Sequence, residues 1–187
     1  MKFSHFKFAA SLIVAAVALP AAAQQQGFYS DFSVGSSKQH LIVDNLGDFN
    51  DRTTAWKILG GYGITQYVGV EGGYIELGRA RANIAGFSFE SKPRTFFAAI
   101  TGALPVNTQF ALTGKAGVAI SRTRISDGAG FSTTERYTNS LLGIGATYKF
   151  TDKLSLVGEY EDLGKIVKQP GYNLKANVTS IGLRYQF

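Results

Sequence analysis

Glu159 and Glu161 stand two residues apart in Val157-Gly158-Glu159-Tyr160-Glu161, so in an extended chain both carboxylates leave the backbone on the same side. Asp31, Lys57, Glu71, Lys115, Lys149 and Arg184 take the corresponding side of their own alternating stretches. A set of this kind, enclosed and carrying both signs, has two readings. It can form a narrow ion path, or it can pair internally as a polar core that fixes strand register. An unpaired ion away from water costs several kcal/mol, and a narrow bore favours pairing.

Catalysis finds little support. A serine hydrolase needs a base beside its nucleophile. His5 falls in the N-terminal leader described below, which leaves His40, and neither Ser140 nor Ser180 has a histidine close in sequence. Chemistry with Glu159 and Glu161 alone is an alternative, but both face inward beside basic residues. The chain has no cysteine, which excludes disulfide scaffolds, thiolate zinc sites, cysteine nucleophiles and a lipidated cysteine anchor. The expectation is a protein that is not an enzyme and has no catalytic residue, cofactor or metal.

The elements that must hold these charges follow from the rest of the sequence. Lys2 and Lys7, an apolar run from Phe8 to Leu19, then Pro20 and Ala21-Ala22-Ala23 read as a secretory signal peptide over 1–23, cut before Gln24. Its apolar centre is shorter than the roughly 20 residues of a spanning helix. Without Lys2 and Lys7 the basic count is 19 − 2 = 17 against 13 acids, a net +4. With 17% charged residues and no dense basic tract, nucleic acid is not expected as a partner.

From residue 24 to 187 the period is two, which predicts strands. Phe28, Ser30, Phe32 and Val34 alternate with Tyr29, Asp31, Ser33 and Gly35; Trp56, Ile58, Gly60, Tyr62 and Ile64 alternate with Lys57, Leu59, Gly61 and Gly63. Later stretches do the same, and eight strands result, ending in Ile181, Leu183, Tyr185 and Phe187. Links near Thr65-Gln66, Pro105-Val106-Asn107 and Thr151-Asp152 are tight, whereas residues 37–52, 78–93, 122–136 and 164–175 read as long polar loops. One side of the alternation is large and apolar. The other is mostly Gly, Ala, Ser and Thr with the charges above. That distribution predicts an all-β, eight-stranded, antiparallel up-and-down transmembrane barrel, apolar outside and polar within. Closure is required because an unpaired strand edge has no water to bond in hydrocarbon.

The stretches Trp56-Lys57-Ile58-Leu59-Gly60-Gly61-Tyr62, Val70-Glu71-Gly72-Gly73-Tyr74, Val157-Gly158-Glu159-Tyr160 and Ile181-Gly182-Leu183-Arg184-Tyr185-Gln186-Phe187 resemble the eight-stranded outer-membrane barrels of the OmpA-transmembrane-domain and OmpX type. The resemblance implies a Gram-negative outer membrane, a periplasmic N-terminus, extracellular long loops, and folding by the barrel assembly machinery. It also implies that Ile181, Leu183, Tyr185 and Phe187 form the signal that this machinery reads. No peptidoglycan-binding domain is expected after Phe187.

In such a barrel the far rim beyond the first long loop is basic. Arg79, Arg81, Arg122 and Arg124, supported by Lys92, Arg94, Arg136, Lys165, Lys168 and Lys175, outnumber Glu90, Asp127, Glu135 and Asp162. These side chains either meet the phosphates of lipopolysaccharide or are simply solvated. The functional expectation is a monomer, structural or adhesin-like at the cell surface, whose lumen is plugged by side chains and whose host or surface ligand no motif identifies. The alternatives are a narrow ion channel or small porin and, less favoured, a lipid-modifying enzyme.

Overall fold

The computed structural model describes residues 26–43, 47–84, 87–127, 132–169 and 172–187, with side chains described over 26–40, 52–79, 93–122, 136–166 and 175–187. The leader expected over 1–23 lies outside the described residues. Nine strand segments follow in order: β1 (Gly27–Val43), β2 (Gly47–Gly63), β3 (Val68–Glu76), β4 (Ala80–Ile84), β5 (Phe87–Pro105), β6 (Phe110–Asp127), β7 (Ser132–Lys149), β8 (Leu154–Gln169) and β9 (Tyr172–Gln186). Both β3 and β4 pair with β5, so together they make one stave, broken where Gly78 takes φ 79°. Eight staves close into an antiparallel barrel when β1 pairs with β9.

The pairings fix the stagger. From Phe28 the ladder runs through Tyr62, Val70, Ile100, Ala116, Leu142, Asp162 and Asn177 to Lys38, which is 38 − 28 = 10 residues further along the starting strand. Such a stagger tilts the strands by roughly 35–45° and leaves an eight-stranded interior only wide enough for side chains. The three described short turns share one device. Thr65, Asn107 and Thr151 each accept two backbone N–H bonds on the side-chain oxygen, as in Asn107 Oδ1 from Gln109 N at 2.9 Å and Phe110 N at 2.7 Å.

The opposite end differs from the sequence expectation. Most described residues of the supposed long loops continue the staves as paired strands, with His40 opposite Asn50, Arg81 opposite Glu90, Arg122 opposite Arg136 and Lys168 opposite Asn173. β2 pairs with β3 only from Trp56 inward, and β7 with β8 only from Leu142 inward. Beyond those points the described residues form two four-stranded sheets, β4-β5-β6-β7 and β8-β9-β1-β2, standing on the barrel. Side chains stitch the two slits between them: Thr53 Oγ1 donates to the Leu77 carbonyl and Asn139 Nδ2 to that of Lys165.

The alternation sorts the side chains as the sequence reading expects. Phe28, Phe32, Ile58, Ile100, Leu104, Ile144, Ile181 and Phe187 are exposed on the outside, while Tyr29, Asp31, Lys57, Leu59, Glu71, Phe97, Lys115 and Glu159 are buried inside. Where Gly61 faces Tyr29, a Cβ would lie 2.3 Å from the ring, so only glycine admits the tyrosine.

Candidate functional site

Seven of the eight predicted inward charges meet in one chain of contacts across the lumen. Lys57 Nζ bonds Glu159 Oε2 and reaches Glu161 Oε2 at 2.7 Å. Lys115 Nζ lies 2.7 Å from Glu159 Oε1, 2.8 Å from Glu71 Oε2 and 3.3 Å from Glu161 Oε1. Arg184 Nη2 continues the chain to Glu71 Oε1 at 3.0 Å and Asp31 Oδ2 at 3.4 Å. Burial this deep requires partners, and each charge has one.

The eighth, Lys149, is not part of this network. It sits at the short-turn mouth, where Nζ meets Asp152 Oδ1 at 3.2 Å, three residues on along the chain. Its place as the last residue of β7 lets the side chain reach the turn and water, so the sequence placement is corrected.

The network has members that sequence reasoning missed. Tyr29 OH donates to Glu71 Oε1 at 2.9 Å and Ser33 Oγ to Asp31 Oδ1 at 2.6 Å. Arg184 stacks over the Tyr29 ring at 4.3 Å, and Lys115 lies 5.7 Å from the Phe97 ring centre. Their odd-numbered, inward positions were the available signal. Towards the hairpin end, the interior is not the small, polar lining expected. Ile75, Leu77, Leu141, Leu163 and Ile166 are 0% exposed, packed with Val178, Ala55, Ala119 and Ala176. Of these, Ile166 falls within the 164–175 stretch that reads as a loop, and Leu77 and Leu163 lie just before the 78–93 and 164–175 stretches.

No described arrangement joins a histidine to a serine. His40 is the register partner of Lys175, whereas Ser180 is buried opposite Gly35, five residues back along β1, and Ser140 is exposed. Of the four rim arginines singled out, Arg79 is exposed in the break after Gly78 and Arg122 is exposed on β6; the side chains of Arg81 and Arg124 lie outside the described ones. The structure does not align Arg79 with Arg122. Arg122 instead has Arg94 as its partner on one side and Arg136 on the other. Ile181, Leu183, Tyr185 and Phe187 are all exposed on the outer face of the closing strand.

The profile of the outer membrane protein beta-barrel domain matches residues 8–187. The chain belongs to this family. Among solved structures, Neisserial surface protein A (NspA) is similar at 17% identity with a TM-score of 0.67, over 86% of this chain and 97% of that one. The attachment invasion locus protein Ail of Yersinia pestis, in complex with the heparin analogue sucrose octasulfate, is similar at 16% identity with a TM-score of 0.56, over 85% and 99%. The N-terminal β-barrel domain of Pseudomonas aeruginosa OprF is similar at 12% identity and a TM-score of 0.56, over 87% and 100%. No curated protein sequence matches the chain.

For an outer-membrane barrel the exposed apolar surface is the lipid face. Aromatic girdles mark its limits. Phe28–Tyr62, Tyr148–Phe150 and Tyr185–Phe187 pairs, with ring centres 4.8–5.2 Å apart, circle the short-turn end. Trp56, Tyr74 and Phe96, in contact at 5.3 and 5.1 Å, mark the hairpin end on β2, β3 and β5.

Proposed function

We propose that this outer-membrane barrel is a monomeric, non-enzymatic surface protein with a structural or adhesin-like role, its lumen closed by its own side chains. The observation that carries this reading is the pair of four-stranded sheets raised beyond the lipid-facing band, a hydrogen-bonded platform for contact with a partner. In this orientation the N-terminus is periplasmic and the raised hairpins are extracellular. The adhesin-like role is also in keeping with the named attachment function of the similar Yersinia protein.

The lumen favours a plug over a channel. An ion entering it would have to displace the Lys57–Glu159–Lys115–Glu71 pairs and pass the layer of Leu77, Leu141, Leu163 and Ile166, all 0% exposed. Outer-membrane lipid surrounds the band, and the barrel assembly machinery inserts the chain by reading its last strand.

Deleting the gene and scoring both envelope permeability and binding of the cells to coated surfaces tests the role. The reading expects reduced surface binding with unchanged uptake of small solutes. Unchanged binding with reduced solute uptake would replace it with the porin alternative.

A further inference from the structure

Arg94 on β5, Arg122 on β6 and Arg136 on β7 are successive cross-strand partners on the outer face, and all three are exposed. Directly opposed residues bring their Cβ atoms to roughly 4.5–5.5 Å, where like charges destabilise a sheet. The ion pairs between described residues include none of the three. On its β3 side Arg94 faces Glu76, which offsets that end of the row, but Arg122 has an arginine opposite it on both sides and calls for an anion from outside the chain.

Its height says which anion. Arg94 lies two residues from Phe96 and Arg122 two residues from Ile120, both outward members of the apolar band; Phe96 also belongs to the upper girdle with Tyr74. Because the strands tilt, the row starts at the edge of the hydrocarbon and climbs away from it, with Thr138 and Ser140 between Arg136 and Leu142. This is the depth of lipid headgroups. There a guanidinium fork binds phosphate through paired N–H bonds in a partly dehydrated zone.

We propose that Arg94, Arg122 and Arg136 form a binding site for the phosphate groups of a lipid in the outer leaflet, of the phosphorylated glycolipid class. It rests on the reading above only in taking the hairpin end as the outer surface. The bound phosphates sit between neighbouring guanidiniums and turn two repulsive pairs into bridged ones, fixing one face of the barrel to the leaflet.

The test is calorimetric titration of the folded barrel in neutral detergent with mixed micelles containing purified lipid A, and separately with inorganic phosphate. The wild-type protein is expected to bind lipid A, weakening as salt rises. The combined Arg94→Gln, Arg122→Gln and Arg136→Gln variant should lose affinity tenfold or more, while Lys165→Gln with Lys175→Gln on the other sheet should change it less than twofold. Equal losses in the two variants would mean a diffuse basic field and overturn the site. Equal affinity for inorganic phosphate and lipid A would overturn the lipid assignment. Should the triple variant not fold, Arg122→Lys keeps the charge without the fork and is expected to weaken lipid A binding several-fold; wild-type binding would again overturn the site. A folded triple variant with wild-type binding removes the arginine site and leaves the surface reading standing. Failure of an externally added label to reach the hairpins on intact cells would instead remove that reading.

Discussion

Asp31 and Arg184 are direct cross-strand partners on β1 and β9, with Arg184 Nη2 3.4 Å from Asp31 Oδ2 across the seam that closes the barrel. The same guanidinium is nearer to Glu71, at 3.0 Å, so the seam is tied to β3 on the far side of β2 as well as to itself. Opposite charges at this pairing oppose slippage, because a shift of one strand by one residue would turn its charge out towards lipid and leave the partner unpaired in the lumen.

Arg184→Ala should therefore destabilise the barrel by roughly 3 kcal/mol, the low end for breaking a buried pair, since the side chain keeps 11% of its exposure. Urea unfolding in lipid vesicles measures it. Double-mutant cycles should give a larger coupling for Glu71–Arg184 than for Asp31–Arg184, both within about 0.5–3 kcal/mol. A coupling of zero for Asp31–Arg184 would place the closing register elsewhere.

The Tyr29–Gly61 contact gives a steric prediction. Gly61→Ala pushes a methyl into the Tyr29 ring, which also bonds Glu71, and should cost about 1–3 kcal/mol. Gly158→Ala, with nothing within 4 Å of the added Cβ, should be close to neutral by the same urea assay. Adding Tyr29→Ala should shrink the penalty of Gly61→Ala. An undiminished penalty would mean the ring is not what the methyl meets.

The lipid face and the lumen charges were legible because a single period of two governs both: one face must satisfy hydrocarbon, and the other cannot. The hairpin extensions were not. Beyond the membrane the outer face of a strand meets water and turns polar, and in Ser36-Ser37-Lys38-Gln39-His40 the buried inward residues Ser37 and Gln39 are polar too, so the contrast that marks a strand is lost although the backbone stays paired. Ile166 was hidden for a different reason. Gly164 adopts φ 65° and its N–H is held by Asp162 Oδ1 at 2.8 Å, where the β8–β9 register shifts. That bulge exchanges the odd and even faces, so counting by twos places Ile166 outside when it is fully buried. Lys149 shows the converse limit, because parity gives the face but not whether a long side chain at a strand end bends to the turn.

The last strand carries a prediction about assembly. Phe187 is 75% exposed, on the lipid side, and its N–H bonds the Phe28 carbonyl at 3.0 Å. Phe187→Asp should lower the amount of heat-modifiable barrel in the outer membrane several-fold, while Gln186→Glu, on the inward set, should leave it near wild type. Normal membrane levels of Phe187→Asp would count against a role of this residue in recognition by the assembly machinery.

Whether the lumen is closed is settled most directly by single-channel recording of the purified, folded barrel in a planar bilayer. The buried ion-pair chain from Glu161 to Asp31 and the apolar layer of Leu77, Leu141, Leu163 and Ile166 predict a silent bilayer, with no uniform current steps in concentrated potassium chloride. Reproducible steps of one size whose conductance scales with salt would contradict a plugged barrel and favour the channel.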